Sequence, residues 1–432
     1  MKTDETIRFL ESEKAGKLMT ALYGEEAAGE NILRYQNLIN DFRKHFPEED
    51  VLLFTSPGRT EISGNHTDHN HGKVLAGSIN LDCVGVAAKN NSTVVNIVSV
   101  TYNQSFTIDL TDLSPSDKKA GTIDLVKGLL KGFLEKGYQI GGFNAYITSN
   151  VISAAGVSSS ASFEMLLCSI LNTFFNDSRM DAVAYAHIGR FAENVYWDKA
   201  SGLLDQMACA VGGLITIDFK NPSQPVVEQI DFDFASQNHS LIIVNTGKGH
   251  ADLSADYSSV PAEMKKVAEF FGKEVCADIS EEDVIGRLNE VREFAGDRSV
   301  LRALHFFEEN KRVDAEVAAL KEGRFDEFLS NITASGNSSW KWLQNCFTNT
   351  SFQEQGITVA LALTELFIAG KKQGACRIHG GGFAGVIMAV LPNEIAEEYI
   401  SYMEKTMGEG NAYRMSIRPY GSICFNTAAE QY

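Results

Sequence analysis

The chain has 432 residues, of which 44% are hydrophobic and 22% are charged, and its formal net charge is −18 with an isoelectric point near 5.0. This composition is ordinary for a globular enzyme of about two domains, and its acidic surface repels phosphate backbones, so we expect no nucleic acid partner. No stretch approaches the roughly 20 apolar residues of a membrane span, and the charged start of the chain lacks the apolar segment of a secretory signal. The seven cysteines are scattered without paired spacing, as is typical of reduced thiols, so we expect a cytoplasmic protein without a membrane partner.

Hydrophobic spacing predicts a mixture of strands and helices. An amphipathic helix over 32–42 leads to a strand over 51–54, and strands over 84–88 and 94–100 are predicted to pair as a hairpin. Further helices are predicted over 123–134, 157–175, 181–197, 261–271, 281–294, 300–320, 355–371 and 395–407. Further strands are predicted over 143–148, 213–218, 241–245, 376–379, 383–391 and 412–417.

A change of domain is predicted near Gly212, which divides the chain into 1–212 and 213–432. The strand over 213–218 is assigned to the second domain, and no short repeat or low-complexity linker interrupts the sequence. We expect a monomer, with a dimer as the alternative.

A polar stretch follows the strand over 51–54 and is dense in groups that bind hydroxyls or move protons. Arg59, Asp68 and three histidines (His66, His69 and His71) fall within thirteen positions, punctuated by glycines. The alternative is a glycine- and asparagine-rich surface loop, which would rarely gather so much polarity.

Small residues and three serines precede the helix over 157–175. Free N–H groups at a helix start, with the positive end of the helix dipole, form an anion site, and small residues let a ligand approach the backbone. The spacing is not that of a Walker loop, and no lysine stands there. The alternative is an ordinary serine-capped helix.

Asp205 stands in an apolar run, between Leu204 and Gln206-Met207. A buried carboxylate without a partner costs on the order of 2 kcal/mol or more, so Asp205 needs a partner, and Arg59 is the candidate. The alternatives are a helix cap and a plain buried ion pair. A glycine-rich turn near position 381 is a weaker signal, because a tight turn between strands explains it equally well.

Taken together, these stretches resemble the galactokinases, within the galactokinase–homoserine kinase–mevalonate kinase–phosphomevalonate kinase (GHMP) superfamily. The first motif of that family reads roughly PGR-x-N-x-I-G-E-H-T-D-Y-N, and here it runs from Pro57 to Asn70. The second, P-x-G-x-G-L-S-S-S-A, begins at Ile152 with Ala154 in place of the first glycine and Val157 in place of the leucine. G-I-M-D-Q corresponds to 202–206, and T-G-A-G-F-G-G to 379–385.

The resemblance implies an α+β fold with an N-terminal mixed-sheet domain (like domain 2 of ribosomal protein S5) and a C-terminal ferredoxin-like domain with added helices. It implies ATP and Mg²⁺ as the nucleotide and metal, and a small sugar as the acceptor. The implied catalytic residues are Asp205, as base or orienting group, and Arg59. The implied sugar-binding residues are Asn65, His66, Thr67, Asp68, Gly202 and Tyr257. The implied ATP-binding residues are Ser99, Ala154, Ala155, Gly156, Val157, Ser158, Ser159, Ser160, Gly380, Gly381 and Gly382. The implied metal ligands are Ser160 and Glu193.

Several of these assignments have structural alternatives. Glu193 could be a solvated helical glutamate, and Tyr257 could be a packed tyrosine at a helix entrance, since the N-x-R-R of the family does not follow it here. Asn65 replaces the family glutamate that contacts the sugar C6 hydroxyl, which predicts altered recognition at that carbon.

Three functions therefore compete. The first is an ATP-dependent galactokinase. The second is an anomeric kinase of another sugar, such as galacturonate, N-acetylgalactosamine or arabinose. The third is a galactose- and ATP-binding sensor without turnover, against which the intact Arg59, Asp205 and Ser160 argue.

Overall fold

Two sheets organise the chain. In a computed structural model that describes residues 1–116, 121–151, 156–197, 201–247, 253–349 and 351–432, the strands form one eight-stranded mixed sheet and one four-stranded antiparallel sheet. The predicted α+β fold class is confirmed. Among the described residues, the helices do not combine the length and the apolar character needed to cross a membrane.

The strands are β1 (Leu52–Ser63), β2 (Lys73–Lys89), β3 (Val94–Ser99), β4 (Gln104–Asp109), β5 (Phe143–Ser149), β6 (Leu214–Asp218), β7 (Val226–Ile230), β8 (His239–Asn245), β9 (Ala375–His379), β10 (Val386–Pro392), β11 (Ala412–Met415) and β12 (Ile423–Cys424). The α-helices are α1 (Thr3–Leu10), α2 (Glu13–Tyr23), α3 (Glu25–His45), α4 (Thr122–Glu135), α5 (Ser159–Phe175), α6 (Ala182–Phe191), α7 (Leu204–Val211), α8 (Ser254–Phe270), α9 (Glu281–Gly286), α10 (Leu288–Ala295), α11 (Asp297–Lys321), α12 (Phe325–Ser338), α13 (Gly356–Lys371), α14 (Asn393–Met407) and α15 (Phe425–Ala429). Single π-helical turns follow α6 (Ala192–Tyr196) and α12 (Ser339–Leu343).

The first sheet has the order β12-β1-β2-β5-β3-β4, and β6 and β7 extend it from the first half of β2. The predicted hairpin between the strands over 84–88 and 94–100 is wrong, because β5 lies between β2 and β3 and pairs with β3 in parallel. The strand over 213–218 was assigned to the second domain, but β6 pairs with β2 in the first sheet. The first sheet thus continues to Ile230, beyond the predicted boundary near Gly212. It also includes β12, from near the end of the chain, which pairs with β1.

The second sheet has the order β11-β8-β10-β9. The sequence of its strands and of the last helix, β8–β9–β10–α14–β11, is that of a ferredoxin-like unit in which α8 to α13 stand between β8 and β9. The predicted ferredoxin-like domain with added helices is confirmed.

The helices cover the sheets and leave β1 between the two domains. Apolar residues of α1 to α3 and α15 pack against one face of the first sheet, and those of α4 to α6 pack against the other. The end of β1 and the loop after it contact α11, α12 and β9 of the second domain. The loop after β1 is therefore held at the junction of the domains, where the predicted site lies.

Candidate active site

Arg59 and Asp205, 146 positions apart, form the predicted ion pair. The Arg59 Nη2 lies 2.7 Å from the Asp205 Oδ1, and Arg59 Nε donates to the same oxygen at 2.9 Å. Burial alone would lower the pKa of Arg59, but the Asp205 and Glu61 carboxylates outweigh it and raise the pKa. Arg59 therefore stays charged and favours the ionised form of Asp205.

The chain brings Arg59 to this position through a close backbone approach. A register shift in β1 falls between Pro57 and Arg59, and the Arg59 N–H donates to the Val157 carbonyl at 3.1 Å. A side chain at Gly58 would come within 2.6 Å of that carbonyl oxygen, so only glycine fits here. Arg59 Nη1 also donates to the Gly156 carbonyl.

The serine loop (here the described residues 156–160) reaches Asp205 from the other side. Ser158, with a left-handed φ of 63°, precedes α5, and its hydroxyl donates to the Asp205 Oδ2 at 2.7 Å. The side chain of Asp205 is 33% exposed, so its carboxylate is accessible and not enclosed by its leucine neighbours. One carboxylate is thus bound both by the Arg59 guanidinium and by a hydroxyl of the serine loop. Ala154 and Ala155 lie outside the described residues, and the Val157 side chain is fully buried.

Ser160 and Glu193, the predicted metal ligands, are adjacent. The Ser160 hydroxyl donates to Glu193 Oε1 at 3.1 Å, and Gln206 Nε2 donates to Glu193 Oε2 at the same distance. Glu193 sits on the π-helical turn after α6, which directs it inward, and it is 1% exposed, so it is not the solvated glutamate of the alternative. Neighbouring ligands of an octahedral Mg²⁺ with bonds of about 2.1 Å lie about 3.0 Å apart, so the two oxygens are spaced as such ligands.

The opening loop (residues 64–72) holds the sugar candidates between β1 and β2. Thr67 is fully buried, and its hydroxyl lies 2.6 Å from the Lys73 carbonyl and 2.9 Å from the Gly64 carbonyl. The hydroxyl therefore closes the loop on itself, and the predicted contact of Thr67 with the sugar stays a prediction. A side chain at Gly64, where φ is 92°, would lie 2.4 Å from the Lys73 carbonyl.

Asn65 is also fully buried, within a polar network. Its amide donates to Glu61 Oε1 and to the Gly380 carbonyl, both at 2.7 Å, and its Oδ1 accepts from the Asn345 amide at 2.7 Å. The amide is committed to the protein, so a direct contact between Asn65 and the sugar is not supported. The predicted contact of Asn65 with the sugar stays a prediction, and a neutral amide fits this interior position where an unpaired carboxylate would not.

His66, Asp68 and Gly202 are partly buried. His66 Nε2 donates to the Gly381 carbonyl at 2.8 Å, and burial lowers its pKa to about 4, so the imidazole is neutral at pH 7. Asp68 Oδ1 accepts from the His69 N–H at 2.9 Å. A β-carbon at Gly202 would lie 1.9 Å from Asp68 Oδ2, so the Gly202 backbone lies directly against the carboxylate.

The glycine turn (residues 380–382) faces the opening loop. Its three carbonyls accept hydrogen bonds from Asn65, His66 and Tyr257 respectively, and the last of these, from the Tyr257 hydroxyl to Gly382, is 2.7 Å long. The Tyr257 ring packs so closely that a β-carbon at Gly381 would come within 2.5 Å of it. The carbonyls of these glycines are thus bonded to the opening loop and to Tyr257, a β-carbon at Gly380 would lie 3.7 Å from the Gly156 carbonyl oxygen, and their contact with the nucleotide stays a prediction. Ser99 ends β3, 6% exposed and opposite Ile147 of β5, the strand that leads to the serine loop.

Sequence reasoning missed the buried polar residues that support these loops. Glu61 stands where the family motif has asparagine, so Glu61 and Asn65 exchange the amide and the carboxylate of that motif and bond to each other. Glu309 Oε1 accepts from the Ser63 hydroxyl at 3.2 Å and from the Gly64 N–H at 3.1 Å. The motif comparison at position 61 could have found the exchange, but no local signal marks Glu309, which is 245 positions away from Gly64.

The fold and the geometry define the class of the protein as a GHMP kinase. Residues 124–213 match the N-terminal domain of GHMP kinases, and residues 40–89 match the galactokinase galactose-binding signature. The fold resembles that of a Lactococcus lactis galactokinase complexed with galactose, with a TM-score of 0.77, 23% identity, and coverage of 90% of this chain and 99% of that one. It also resembles a mevalonate kinase, with a TM-score of 0.58, 17% identity, and coverage of 85% and 99%.

Curated relatives narrow the class. A galactokinase of Pyrococcus furiosus is 30% identical over 351 residues, which cover 80% of this chain and 90% of that protein. A galactokinase of Clostridium tetani is 28% identical over 365 residues, covering 84% and 89%. The chain belongs to the galactokinase family, and it is a phosphotransferase.

Proposed function

We propose that the chain transfers the γ-phosphoryl group of ATP to the anomeric hydroxyl of galactose, giving galactose 1-phosphate and ADP. The observation that carries the proposal is the Asp205 carboxylate, bonded on one side to Arg59 and on the other to Ser158 of the serine loop. A group that must meet both a sugar hydroxyl and a triphosphate belongs at such a place.

Asp205 orients the anomeric hydroxyl and accepts its proton as the oxygen–phosphorus bond forms. The bond from the γ-phosphorus to the β,γ-bridging oxygen breaks, and ADP leaves with that electron pair. Arg59 keeps Asp205 ionised before the transfer and stabilises negative charge on the moving phosphoryl group. Its guanidinium is fixed by the Gly156 carbonyl, so little reorganisation accompanies the reaction.

The serine loop and the start of α5 bind the phosphates of ATP through backbone N–H groups and hydroxyls. Ser160 and Glu193 would hold Mg²⁺, which neutralises phosphate charge when bound. Gln206, which donates to both Glu193 and Glu164, holds the Glu193 carboxylate in place.

Sugar recognition is assigned to His66, Asp68, the backbone at Gly202, and Tyr257. The Asp68 carboxylate can accept from two neighbouring hydroxyls, which suits a vicinal diol. The neutral His66 imidazole, with its proton on Nε2, presents an acceptor at Nδ1. Asn65 and Thr67 support the loop from beneath.

A second candidate is an anomeric kinase of another sugar, which the exchange of Glu61 and Asn65 favours. The family glutamate at position 65 is absent, and the carboxylate of the pair now stands at position 61, 4% exposed and bonded to Asn65. We therefore expect this chain to recognise the substituent at C6 of the sugar differently from other galactokinases. Comparing kcat/KM for galactose, galacturonate, 2-amino sugars and arabinose tests it, and an efficient, strict preference for galactose would refute this candidate.

Release of ADP over the sugar panel tests the main proposal, with Asp205→Asn as the variant. We expect Asp205→Asn to lower kcat by about 10²- to 10⁴-fold, the usual range for loss of a general base. The matched control is Asp177→Asn, which changes a carboxylate that is 77% exposed and should leave kcat unchanged. Binding of galactose and ATP without any ADP release in the wild type would instead establish the sensor.

A further inference from the structure

His379 lies where the three motifs meet and takes no part in the mechanism above. It ends β9, directly before the glycine turn, and is 1% exposed. Its Nε2 lies 3.1 Å from the backbone nitrogen of Glu61 and 3.0 Å from the Thr60 hydroxyl oxygen. The family motif has threonine at this position, so the imidazole is a feature of this chain.

The contacts at Nε2 determine which nitrogen carries the proton. The Glu61 backbone N–H can only donate, so Nε2 accepts and the proton of a neutral imidazole is on Nδ1. Burial, and after it the charges of Arg59 and Arg377, lower the pKa of His379 well below its usual value. The ring is therefore a neutral donor of fixed tautomer, and among the described residues Nδ1 has no hydrogen-bond partner.

Nδ1 points at the serine loop. A β-carbon at Gly156 would lie 3.6 Å from Nδ1, and Gly156 is the residue whose carbonyl binds Arg59. The donor therefore lies next to the residue of the serine loop that binds Arg59. A buried N–H without an acceptor is destabilising, so we expect an acceptor from outside the described residues at this place.

We propose that His379 Nδ1–H donates a hydrogen bond to a phosphate oxygen of the nucleotide held by the serine loop. This inference rests on the proposed function, in that the serine loop binds the phosphates of ATP. A phosphate oxygen on the serine loop would be such an acceptor, and a neutral donor close enough to feel the charges of Arg59 and Arg377 adds a directed bond without adding charge.

The test is nucleotide binding by calorimetry with two variants of the full chain. In His379→Gln the amide oxygen takes the place of Nε2 and still accepts from Glu61, but no donor replaces Nδ1. In His379→Asn the amide nitrogen takes the place of Nδ1. We expect His379→Gln to weaken ADP binding about tenfold or more, as for loss of a bond to a charged group, while adenosine binding is unchanged. His379→Asn should bind ADP more tightly than His379→Gln.

The matched control is His187→Gln on α6, another histidine with a buried nitrogen that has no partner among the described residues, and it should leave ADP affinity unchanged. Equal ADP affinity of His379→Gln and wild type, or equal loss of ADP and adenosine binding, would overturn the proposal. The wild-type sugar assay is separate from these measurements. If no sugar is phosphorylated but His379→Gln still loses ADP affinity selectively, the proposed function fails and the role of His379 stands.

Discussion

Replacing Gly202 by alanine should impair sugar binding without unfolding the protein. The new β-carbon would lie 1.9 Å from Asp68 Oδ2, whereas such contacts essentially never fall below 3.0 Å, so the two groups must separate by about 1.1 Å. The φ angle of Gly202 is not in the left-handed region, so alanine adds no backbone strain.

We expect the Asp68 carboxylate to move away from the new β-carbon, because it is the end group of a short side chain and is 11% exposed. Its rotation breaks the bond from the His69 N–H and removes Oδ2 from the sugar position. A displacement of about 1 Å in a positioned group costs up to about 100-fold in rate or affinity. The change in the free energy of unfolding should stay within about 1 kcal/mol, because a flexible end group moves and no cavity forms.

The assay measures KM for galactose and KM for ATP separately, together with a urea unfolding curve. We expect KM for galactose to rise about 10- to 100-fold with KM for ATP unchanged. The control is Gly16→Ala on α2, where the β-carbon meets open space and the variant should be neutral or slightly stabilised. A wild-type KM for galactose in Gly202→Ala would refute the placement of Asp68 against the sugar.

Three further predictions concern two buried carboxylates, Glu316 and Asp82, and the proposed metal ligand Ser160. Glu316 is fully buried, and burial raises its pKa well above 4.5, so the free energy of unfolding of the wild type should fall as pH rises above about 5. Glu316→Gln removes this loss. In urea unfolding at pH 5 to 8, the variant should gain stability relative to the wild type by up to about 1.4 kcal/mol per pH unit. Asp82→Asn should cost about 3 to 5 kcal/mol by the same method, because Arg34 and Arg418, at 2.7 and 3.1 Å, lose their buried counterion. Ser160→Ala should raise the Mg²⁺ concentration for half-maximal rate about tenfold.

Each of these has a result that contradicts it. A stability difference between Glu316→Gln and wild type that is constant from pH 5 to 8 would show that Glu316 is ionised in the folded protein. The control for Asp82→Asn is Asp41→Asn, whose partner Lys44 is 69% exposed, and which should cost less than about 1 kcal/mol. An unchanged Mg²⁺ titration of Ser160→Ala would remove that hydroxyl from the metal site.

Local spacing was sufficient where neighbouring residues set the structure. The serines before an apolar-striped segment predicted the start of α5, and the pattern over 181–197 predicted helical structure at Glu193, though not its π-helical turn. The pairing of Asp205 with Arg59 was also predicted, although the Asp205 side chain is 33% exposed and less buried than its apolar neighbours suggest. The sequence could not assign β6 to the first sheet, because the residues of a five-residue strand do not specify which strand it pairs with.

The amino-acid sequence by itself determined the class of this protein, because the chemistry of phosphate binding and proton transfer needs particular residues at short, fixed spacings. Only the tertiary structure decided which of those residues are enclosed by the protein and which remain accessible. It turned Asn65 and Thr67 inward and brought His379 next to the serine loop, because burial and hydrogen bonding depend on partners more than 200 positions away as well as on nearby ones. The physical reason is that a polar side chain settles where its donors and acceptors are satisfied, and that position is a property of the whole packed fold.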